Sequence, residues 1–212
     1  MLKINEIFFS IQGESSYAGL PCVFVRLTGC NLRCSYCDTE YAFYEGENFS
    51  VDDIFEKVSG YNCNLVEITG GEPLLQKDVY PLITKLCDNG YTVLLETNGS
   101  LSIKKVDKRV IKIIDFKTPS SKMGKENFIE NIKYLNSKDE VKFVIGSEED
   151  YIWSKNVIRK YNLDNHVTVL FSVVFGKMKE SLLVEKILKD NLNVRYQLQL
   201  HKYIWKPDEK GV

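Results

Sequence analysis

The chain alternates between short runs of β-branched and aromatic residues and longer stretches with apolar positions at helical spacing. The short runs predict strands, and the longer stretches predict amphipathic helices. The predicted strands are residues 23–27, 65–68, 91–95, 110–116, 140–145, 167–174 and 194–200. The predicted helices are residues 51–59, 74–89, 126–136, 148–161 and 178–190. This alternation predicts βαβ crossovers and a mostly parallel sheet.

Small and polar residues gather where several of these strands end. The segments are Thr28-Gly29-Cys30, Thr69-Gly70-Gly71-Glu72-Pro73, Glu96-Thr97-Asn98-Gly99, Asp115-Phe116-Lys117 and residues 197–201. In a parallel α/β barrel the carboxyl ends of the strands share one face, which carries the active site. A complete barrel takes about 250 residues, so 212 residues predict a modified, incomplete parallel barrel of the (β/α)6 type. An open doubly wound sheet is the alternative, and its strand ends would gather in the same way.

Charge and composition limit the possible partners. The chain has 28 Lys and Arg against 29 Asp and Glu, so it lacks the basic surplus typical of nucleic-acid binding. No apolar run approaches the roughly 20 residues that cross a bilayer, and the N-terminus lacks the features of a signal peptide. We therefore expect one domain over residues 1–212, a cytoplasmic location, and neither a nucleic-acid nor a membrane partner.

Three of the six cysteines, Cys30, Cys34 and Cys37, form a C-x3-C-x2-C triplet directly after a predicted strand. A structural zinc site needs four ligands, and here the fourth could come only through the fold. The candidates for that ligand are Cys22, Cys63, Cys87, His166 and His201. Three thiolates fit better a [4Fe-4S] cluster that leaves one iron open. We expect the three scattered cysteines to be buried and inert.

The triplet and its neighbours resemble the signature of the radical S-adenosylmethionine (radical SAM) superfamily. The matching residues are Gly29-Cys30-Asn31-Leu32-Arg33-Cys34-Ser35-Tyr36-Cys37-Asp38, and Thr69-Gly70-Gly71-Glu72-Pro73 resembles the Gly-Gly-Glu-Pro motif of the same superfamily. The resemblance implies a [4Fe-4S] cluster held by the three cysteines, with S-adenosyl-L-methionine at the open iron. The cofactor-binding residues that it implies are Tyr36, Cys37, Asp38, Gly70, Gly71, Glu72, Asp115, Phe116 and Lys117.

Further blocks resemble the 7-carboxy-7-deazaguanine synthase family of queuosine and 7-deazapurine biosynthesis. They are Ile11-Gln12-Gly13-Glu14, Pro21-Cys22-Val23-Phe24-Val25-Arg26-Leu27, Cys37-Asp38-Thr39-Glu40-Tyr41-Ala42, Leu94-Leu95-Glu96-Thr97-Asn98-Gly99 and Gln199-Leu200-His201-Lys202. The family implies a homodimeric carbon–nitrogen lyase with a shortened α/β barrel. Its reaction converts 6-carboxy-5,6,7,8-tetrahydropterin to 7-carboxy-7-deazaguanine, with ring contraction and loss of ammonia. The resemblance also implies that an external, flavodoxin-like reductant supplies the electron that reduces the cluster.

The same resemblance implies substrate-binding residues and a metal site. The substrate-binding residues are Gln12, Gly13, Glu14, Arg26, Thr69 and His201, and Thr39 is implied as a ligand of Mg²⁺. Arg26 can also be argued from its surroundings, because a guanidinium inside an apolar strand needs an anionic partner. The carboxylate of the pterin has the geometry to pair with it.

Simpler interpretations stay open for several of these residues. Gln12-Gly13-Glu14 could be a plain turn, Asp38-Thr39 could cap a helix, and Asp115 could form a surface ion pair with Lys117. A basic cluster is interpreted as the solvated face of a helix. Its members are Lys104, Lys105, Lys108, Arg109 and Lys112.

Two other functions are also open at this point. Glycyl-radical-enzyme activases are small radical enzymes too, but they usually carry Asn or His-Asn after the third cysteine, where this chain has Asp38-Thr39. The second alternative function is a non-catalytic binding module that is stabilised by zinc. The colour of the purified protein distinguishes such a module from a cluster protein, because zinc proteins are colourless and iron–sulfur proteins are brown.

Overall fold

The computed structural model describes residues 1–207 and 209–212. The strands are β1 Leu2–Ile11, β2 Pro21–Leu27, β3 Glu47–Phe49, β4 Leu65–Gly70, β5 Thr92–Thr97, β6 Ile111–Asp115, β7 Glu140–Ile145, β8 Thr168–Val173 and β9 Arg195–Tyr196. They form one sheet in the order β3-β1-β2-β4-β5-β6-β7-β8-β9. From β2 to β9 all neighbours in this order are parallel, whereas β1 runs antiparallel to β2 and β3.

Helices fill most of the connections between the parallel strands. They are α1 Val51–Ser59, α2 Val79–Asp88, α3 Glu148–Tyr161 and α4 Glu180–Lys189, and a short α5, His201–Ile204, follows β9. The two end strands, β3 and β9, are not bonded to each other, so hydrogen bonds do not close the barrel. The predicted incomplete parallel barrel is confirmed.

The two faces of the sheet have different chemistry, because side chains alternate along each strand. On β4, Val66 and Ile68 pack in the main core together with apolar residues of α1 to α4. Glu67 and Thr69 of the same strand lie on the inner face and line a cavity. Burial of the outer face against the helices fixes which residues point inward.

Sequence predicted the bounds of α1, α3 and β7 as the structure has them. Both helices begin at a serine whose hydroxyl accepts a backbone hydrogen bond three residues on: Ser50 from Asp53 N at 3.1 Å and Ser147 from Asp150 N at 3.2 Å. These are the expected N-cap contacts, which satisfy otherwise unpaired N–H groups.

Other predicted elements were wrong. Strand β1 was missed, since a register shift between Ile4 and Glu6 interrupts the alternation of polar and apolar residues. The predicted helix 126–136 is two 3-10 segments, Gly124–Glu126 and Ile129–Tyr134. The side chains of Asn127 and Asn131 instead donate to backbone oxygens of other loops, which competes with helix formation.

Two more bounds differ because side-chain contacts take over from regular structure. The helix predicted over residues 74–89 starts at Val79, after a 3-10 turn over Pro73–Leu75. Before that start, Gln76 Oε1 accepts a bond from Lys3 N at 2.7 Å. The strand predicted over residues 194–200 ends at Tyr196, and the glutamines after it bond to another loop.

The basic cluster does not lie on a helix. Lys104, Lys105, Lys108 and Arg109 lie in an irregular connection between β5 and β6. Lys112 lies on β6 and is buried, with Nζ 2.9 Å from the carboxylate of Asp139. Among the scattered cysteines, Cys22 is buried as expected, whereas Cys63 and Cys87 are only half-buried. No helix in the described part of the chain is long and apolar enough to cross a membrane.

Candidate functional site

A cavity of about 780 Å³ opens at the carboxyl ends of the parallel strands. It is lined by all three cysteines of the triplet, by Thr39, and by the six residues expected to bind substrate. It is also lined by most residues expected to bind the cosubstrate, namely Tyr36, Cys37, Asp38, Gly70, Gly71, Asp115 and Lys117. Topology thus brings together segments that are far apart in sequence.

The cysteine loop, residues 30–37, forms one wall of this cavity. Ser35 anchors the loop, since its N–H donates to Ser121 O at 3.1 Å and its hydroxyl to Ser120 O at 2.6 Å. Burial raises the pKa of the Cys34 thiol to about 11, although the Lys117 ammonium acts in the opposite direction. A positive charge next to thiols favours their deprotonated, metal-binding form.

The three thiols fit a cluster better than a single ion. In the described part of the chain, no three His, Cys, Asp or Glu side chains converge closely enough to hold one metal ion. A [4Fe-4S] cluster does not need such convergence, because each thiolate binds a different iron. Cys30 Sγ also accepts bonds from Leu32 N at 3.4 Å and from Asn98 Nδ2 at 3.7 Å. Such contacts stabilise a negatively charged sulfur.

The Gly-Gly-Glu-Pro segment packs directly against the cysteine loop. A Cβ atom on Gly71 would lie 2.6 Å from the Cβ of Cys30, so only glycine fits there. The next N–H, of Glu72, donates to Gly29 O at 2.8 Å. The Glu72 carboxylate accepts bonds from Leu74 N, Thr97 Oγ1 and Asn98 N at 3.0, 2.9 and 2.7 Å. Glu72 therefore fixes the turn and does not itself line the cavity.

Asp115 and Lys117 form a buried ion pair, with Nζ 2.8 Å from Oδ2 and both side chains less than one-seventh exposed. Burial alone would lower the pKa of Lys117, but the Asp115 carboxylate raises it. Asp115 Oδ1 is buried without a hydrogen-bond partner among the described residues. An orphaned acceptor in a cavity is ready for a ligand donor. The neighbouring Phe116 side chain packs in the outer core, where it cannot touch a ligand.

Arg26 lies on the inner face of β2. Its Nε donates to Glu6 Oε1 at 2.6 Å, and its guanidinium lies 5.8 Å from the ring centres of Phe8 and Tyr41. Neither Nη atom has a hydrogen-bond partner within residues 1–207 and 209–212. The Nη edge is therefore free to pair with an anion.

The loop after β1 is more than a plain turn. The Glu14 carboxylate contacts Lys142 Nζ at 2.6 Å and Gln199 Nε2 at 2.9 Å. Burial alone would raise the pKa of Glu14, but Lys142 outweighs it and lowers the pKa to about 2. At Gly13 a Cβ would collide with the ring of His201, whose own pKa is lowered by burial. The segment after β9 is thereby packed onto this loop.

Asp38 and Thr39 lie at the rim of the cavity. The Thr39 hydroxyl donates to Asp38 Oδ1 at 2.9 Å and makes no capping bond to the 3-10 turn Glu40–Phe43, which it precedes. The Asp38 side chain is half exposed, and Lys202 Nζ lies 2.6 Å from its Oδ2. Partial desolvation would raise the pKa of Asp38, but Lys202 and the Thr39 hydroxyl together lower it. Asp38-Thr39 thus presents oxygen atoms to the cavity rather than capping a helix.

Sequence reasoning predicted Glu14 and Asp115 as site residues but missed Glu67, Glu96 and Lys142. We define these five residues, which all line the cavity, as the charged layer. Lys142 is its only cation; the buried Nζ contacts Glu14 and Glu96 and lies 3.9 Å from Asp115. A signal was present, since Glu67 and Lys142 interrupt apolar strands as Arg26 does. The same argument about buried charge would have found them.

Comparison with known proteins assigns this site to a class. The model of the Radical SAM superfamily matches residues 24–183, which include the cysteine loop, the Gly-Gly-Glu-Pro segment and the charged layer apart from Glu14. The chain is thus a radical SAM enzyme.

Similar proteins identify the family within this superfamily to which the chain belongs. The 7-carboxy-7-deazaguanine synthase of Chlorobaculum tepidum is 49% identical over 214 residues, covering 100% of this chain and 97% of that protein. The one of Koribacter versatilis is 45% identical, with 100% of both chains covered. The chain belongs to the 7-carboxy-7-deazaguanine synthase family. The crystal structure of QueE from Escherichia coli, 23% identical, shares the fold with a TM-score of 0.76 over 92% of this chain and 93% of that one. Neither alternative function is favoured by these matches.

Proposed function

We propose that this protein, as a single radical SAM domain over residues 1–212, converts 6-carboxy-5,6,7,8-tetrahydropterin to 7-carboxy-7-deazaguanine with loss of ammonia. One observation carries the proposal. A single cavity is lined both by the three thiols of the cysteine loop and by Arg26, whose Nη edge is free for a carboxylate. The names of the relatives, which cover the whole chain, support the same reaction.

When bound, the [4Fe-4S] cluster and S-adenosyl-L-methionine supply the 5′-deoxyadenosyl radical that removes hydrogen from C6 of the pterin. Cys30, Cys34 and Cys37 would hold the cluster. The unpaired Asp115 Oδ1 would accept a hydrogen bond from the cosubstrate, with Lys117 beside it. Gly71 would let the backbone approach, because it carries no side chain where the two motifs touch.

The remaining residues would position the pterin and keep water out. Arg26 would bind the carboxylate of the pterin through the two Nη atoms of the guanidinium. Thr69, the register partner of Arg26 on β4, lies next to it. Gln12 and Glu14 would form the side of the pocket nearest the β1–β2 loop. His201, packed on Gly13, would help to cover it from the C-terminal segment.

The same proposal includes a Mg²⁺ ion that the Thr39 hydroxyl would help to hold and that would offset the negative charge of the substrate carboxylate. The Thr39 hydroxyl and the Asp38 carboxylate are hard oxygen donors of the kind that this ion prefers, and both lie on the cavity. A homodimer, a flavodoxin-like reductant and a cytoplasmic location stay predictions.

Anaerobic reconstitution tests the reaction. Brown protein incubated with dithionite, S-adenosyl-L-methionine and the carboxytetrahydropterin should form 7-carboxy-7-deazaguanine and ammonia, which mass spectrometry and an ammonia assay would detect. A cluster that cleaves the cosubstrate but leaves the pterin unchanged would overturn the substrate. Colourless, zinc-bound protein would overturn the class of reaction.

A further inference from the structure

Glu67 belongs neither to the cysteine loop nor to the Gly-Gly-Glu-Pro segment, yet it lines the cavity. It lies on the inner face of β4, opposite Phe24 of β2 and Leu94 of β5, and it is 4% exposed. A carboxyl group at this depth loses most of its hydration, which is costly unless other groups replace the water.

The protein itself replaces little of that hydration. Gln12 Nε2 donates to Glu67 Oε2, and the Gln12 amide is held in that orientation because its Oε1 accepts a bond from Glu14 N at 3.1 Å. Within residues 1–207 and 209–212, no Lys, Arg or His lies within ion-pair distance of Glu67. Lys142, the cation of the charged layer, is already in contact with Glu14 and Glu96.

Charges of both signs surround Glu67. Glu96 on β5 and Glu14 in the loop after β1 repel its negative form, whereas Lys142 on β7 and Arg26 on β2 attract it. Burial first, and then Glu96, raise its pKa well above the ordinary value. Within residues 1–207 and 209–212, Gln12 Nε2 is thus the only hydrogen-bond donor to the Glu67 carboxyl group, too few to stabilise it fully as an anion.

Its position fits one end of a flat ligand. Arg26 is the register partner of Thr69, and Glu67 lies two residues before Thr69 on the same strand, roughly 7 Å deeper in the pocket. The stacked rings of Phe8 and Phe24, 4.9 Å apart, lie beside this path. A bicyclic ring anchored by its carboxylate at Arg26 would point its opposite edge towards Glu67.

We propose that Glu67 is a specificity-determining residue that recognises the 2-amino lactam edge of the pterin. The ring N3–H and the 2-amino group are two parallel donors, and a carboxylate offers two parallel acceptors. Ligand donors would thus complete the solvation that the protein leaves unfinished. The inference rests on the proposed function, since it takes a pterin as the ligand.

Binding measurements on the reconstituted holoenzyme test it. The probes are 6-carboxypterin and 6-carboxylumazine, which differ in that the second has an oxo group where the first has the 2-amino group. The unmodified enzyme should bind the pterin at least about tenfold more tightly, because the oxo group faces Glu67 with an acceptor instead of a donor. Glu67→Gln should lose most of this preference, since its amide cannot accept both donors.

The control is Glu140→Gln, which changes a carboxyl group that is equally buried but does not line the cavity and accepts bonds from Ser16 N. This variant should keep the preference for the pterin. Glu67→Asp, which keeps the charge but withdraws it from the ligand, should bind the pterin more weakly than the parent and still prefer it to the lumazine.

Several results would overturn the inference. One is a folded Glu67→Gln enzyme that prefers the pterin to the lumazine as strongly as the parent does. Another is a parent enzyme that binds both probes equally well. If Glu67→Gln does not fold, a Glu67→Asp enzyme with the parent's affinity for the pterin would also overturn it. Failure of the proposed function looks different, because the parent would then bind neither probe and would not convert the carboxytetrahydropterin. A parent that turns over the pterin but does not distinguish the probes separates the two ideas.

Discussion

The cysteine loop and the charged layer face the same cavity but are built in different ways. The loop comes from eight consecutive positions and is held by bonds to the backbone of a neighbouring segment, such as those from Ser35 N to Ser121 O and from Ser35 Oγ to Ser120 O. The charged layer takes single residues from four strands and one loop, and three of its carboxylates, those of Glu14, Glu96 and Asp115, lie within 4 Å of Lys142 Nζ. Damage to the loop should therefore remove a cofactor and leave the fold, whereas damage to the layer should affect folding and binding together.

The largest expected effect tests the loop. Cys34→Ala removes one thiolate, so the visible absorption of the cluster and all formation of 5′-deoxyadenosine should disappear, and Cys30→Ala or Cys37→Ala should do the same. Optical spectra and product analysis of anaerobically reconstituted protein measure both. Cys63→Ala and Cys87→Ala are the matched controls and should keep the cluster. Full activity in Cys34→Ala protein would remove the cluster from this loop.

The second effect tests the layer. Lys142→Met leaves the carboxylates of Glu14, Glu96 and Asp115, which are at most 24% exposed, without their shared cation, which should lower the free energy of unfolding by about 3–5 kcal/mol. For a chain of this size that corresponds to a fall in melting temperature of about 6–20 °C. Lys133→Met is the control, because Lys133 is 70% exposed and lies 3.9 Å from Glu130. Equal melting temperatures for the two variants would show that the layer does not depend on Lys142.

The same contrast explains what could be predicted from sequence. Cys30, Cys34 and Cys37, like Gly70 and Gly71, lie in short segments whose spacing carries their chemistry, so they could be named without a fold. The crossover pattern was enough for the parallel sheet, and the chain length of 212 residues pointed to an incomplete barrel. Glu96 on β5 meets Lys142 on β7 only because these strands curve round one cavity, with Glu67 of β4 beside them, and no local pattern encodes that arrangement. Strand β1 was hidden by its irregular register.

The third effect lies where the two regions meet the substrate. Arg26→Ala removes two charge-assisted hydrogen bonds of roughly 1.5–3 kcal/mol each, so the dissociation constant for the pterin should rise more than tenfold. Arg26→Lys should restore only part of the affinity, because a point charge cannot replace the guanidinium fork. Equilibrium binding of 6-carboxypterin measures both variants. An unchanged dissociation constant in folded Arg26→Ala would make the pairing with Glu6 the whole role of Arg26.

The fourth effect separates two carboxyl groups within the layer by pH. The pKa of Glu14 is lowered to about 2, so its contribution to stability is present above its ordinary pKa of 4.5 and is lost as the pH falls below it. The pKa of Glu67 is raised, so its contribution is present at low pH and is lost as the pH rises through the raised value.

The two glutamine variants should therefore differ in opposite ways from the parent. Glu67→Gln should gain stability relative to the parent as the pH rises from 4 to 8. The deficit of Glu14→Gln should shrink as the pH falls below 4.5. Unfolding by urea from about pH 2 to pH 8 measures both, because the window for Glu14 lies between its lowered and its ordinary pKa, and Glu130→Gln is the exposed control. Parallel curves for all variants would show that the charges of the layer are not coupled to folding.

The smallest effect concerns Thr39, at the rim between the two regions. The Thr39 hydroxyl makes no capping bond. Thr39→Ala should therefore change the free energy of unfolding by no more than about 0.5 kcal/mol, as at other surface positions, and leave the melting temperature nearly unchanged. If the hydroxyl binds Mg²⁺, turnover of chelated enzyme should rise on adding Mg²⁺ in the parent and in Thr39→Ser, and rise much less in Thr39→Ala and Thr39→Val. Steady-state rates with and without the ion, on the same preparations used for melting, give the comparison. A Thr39→Ala enzyme that responds to Mg²⁺ as strongly as the parent would place any metal ion on other groups, and the bond from the Thr39 hydroxyl to Asp38 would then be a structural contact only.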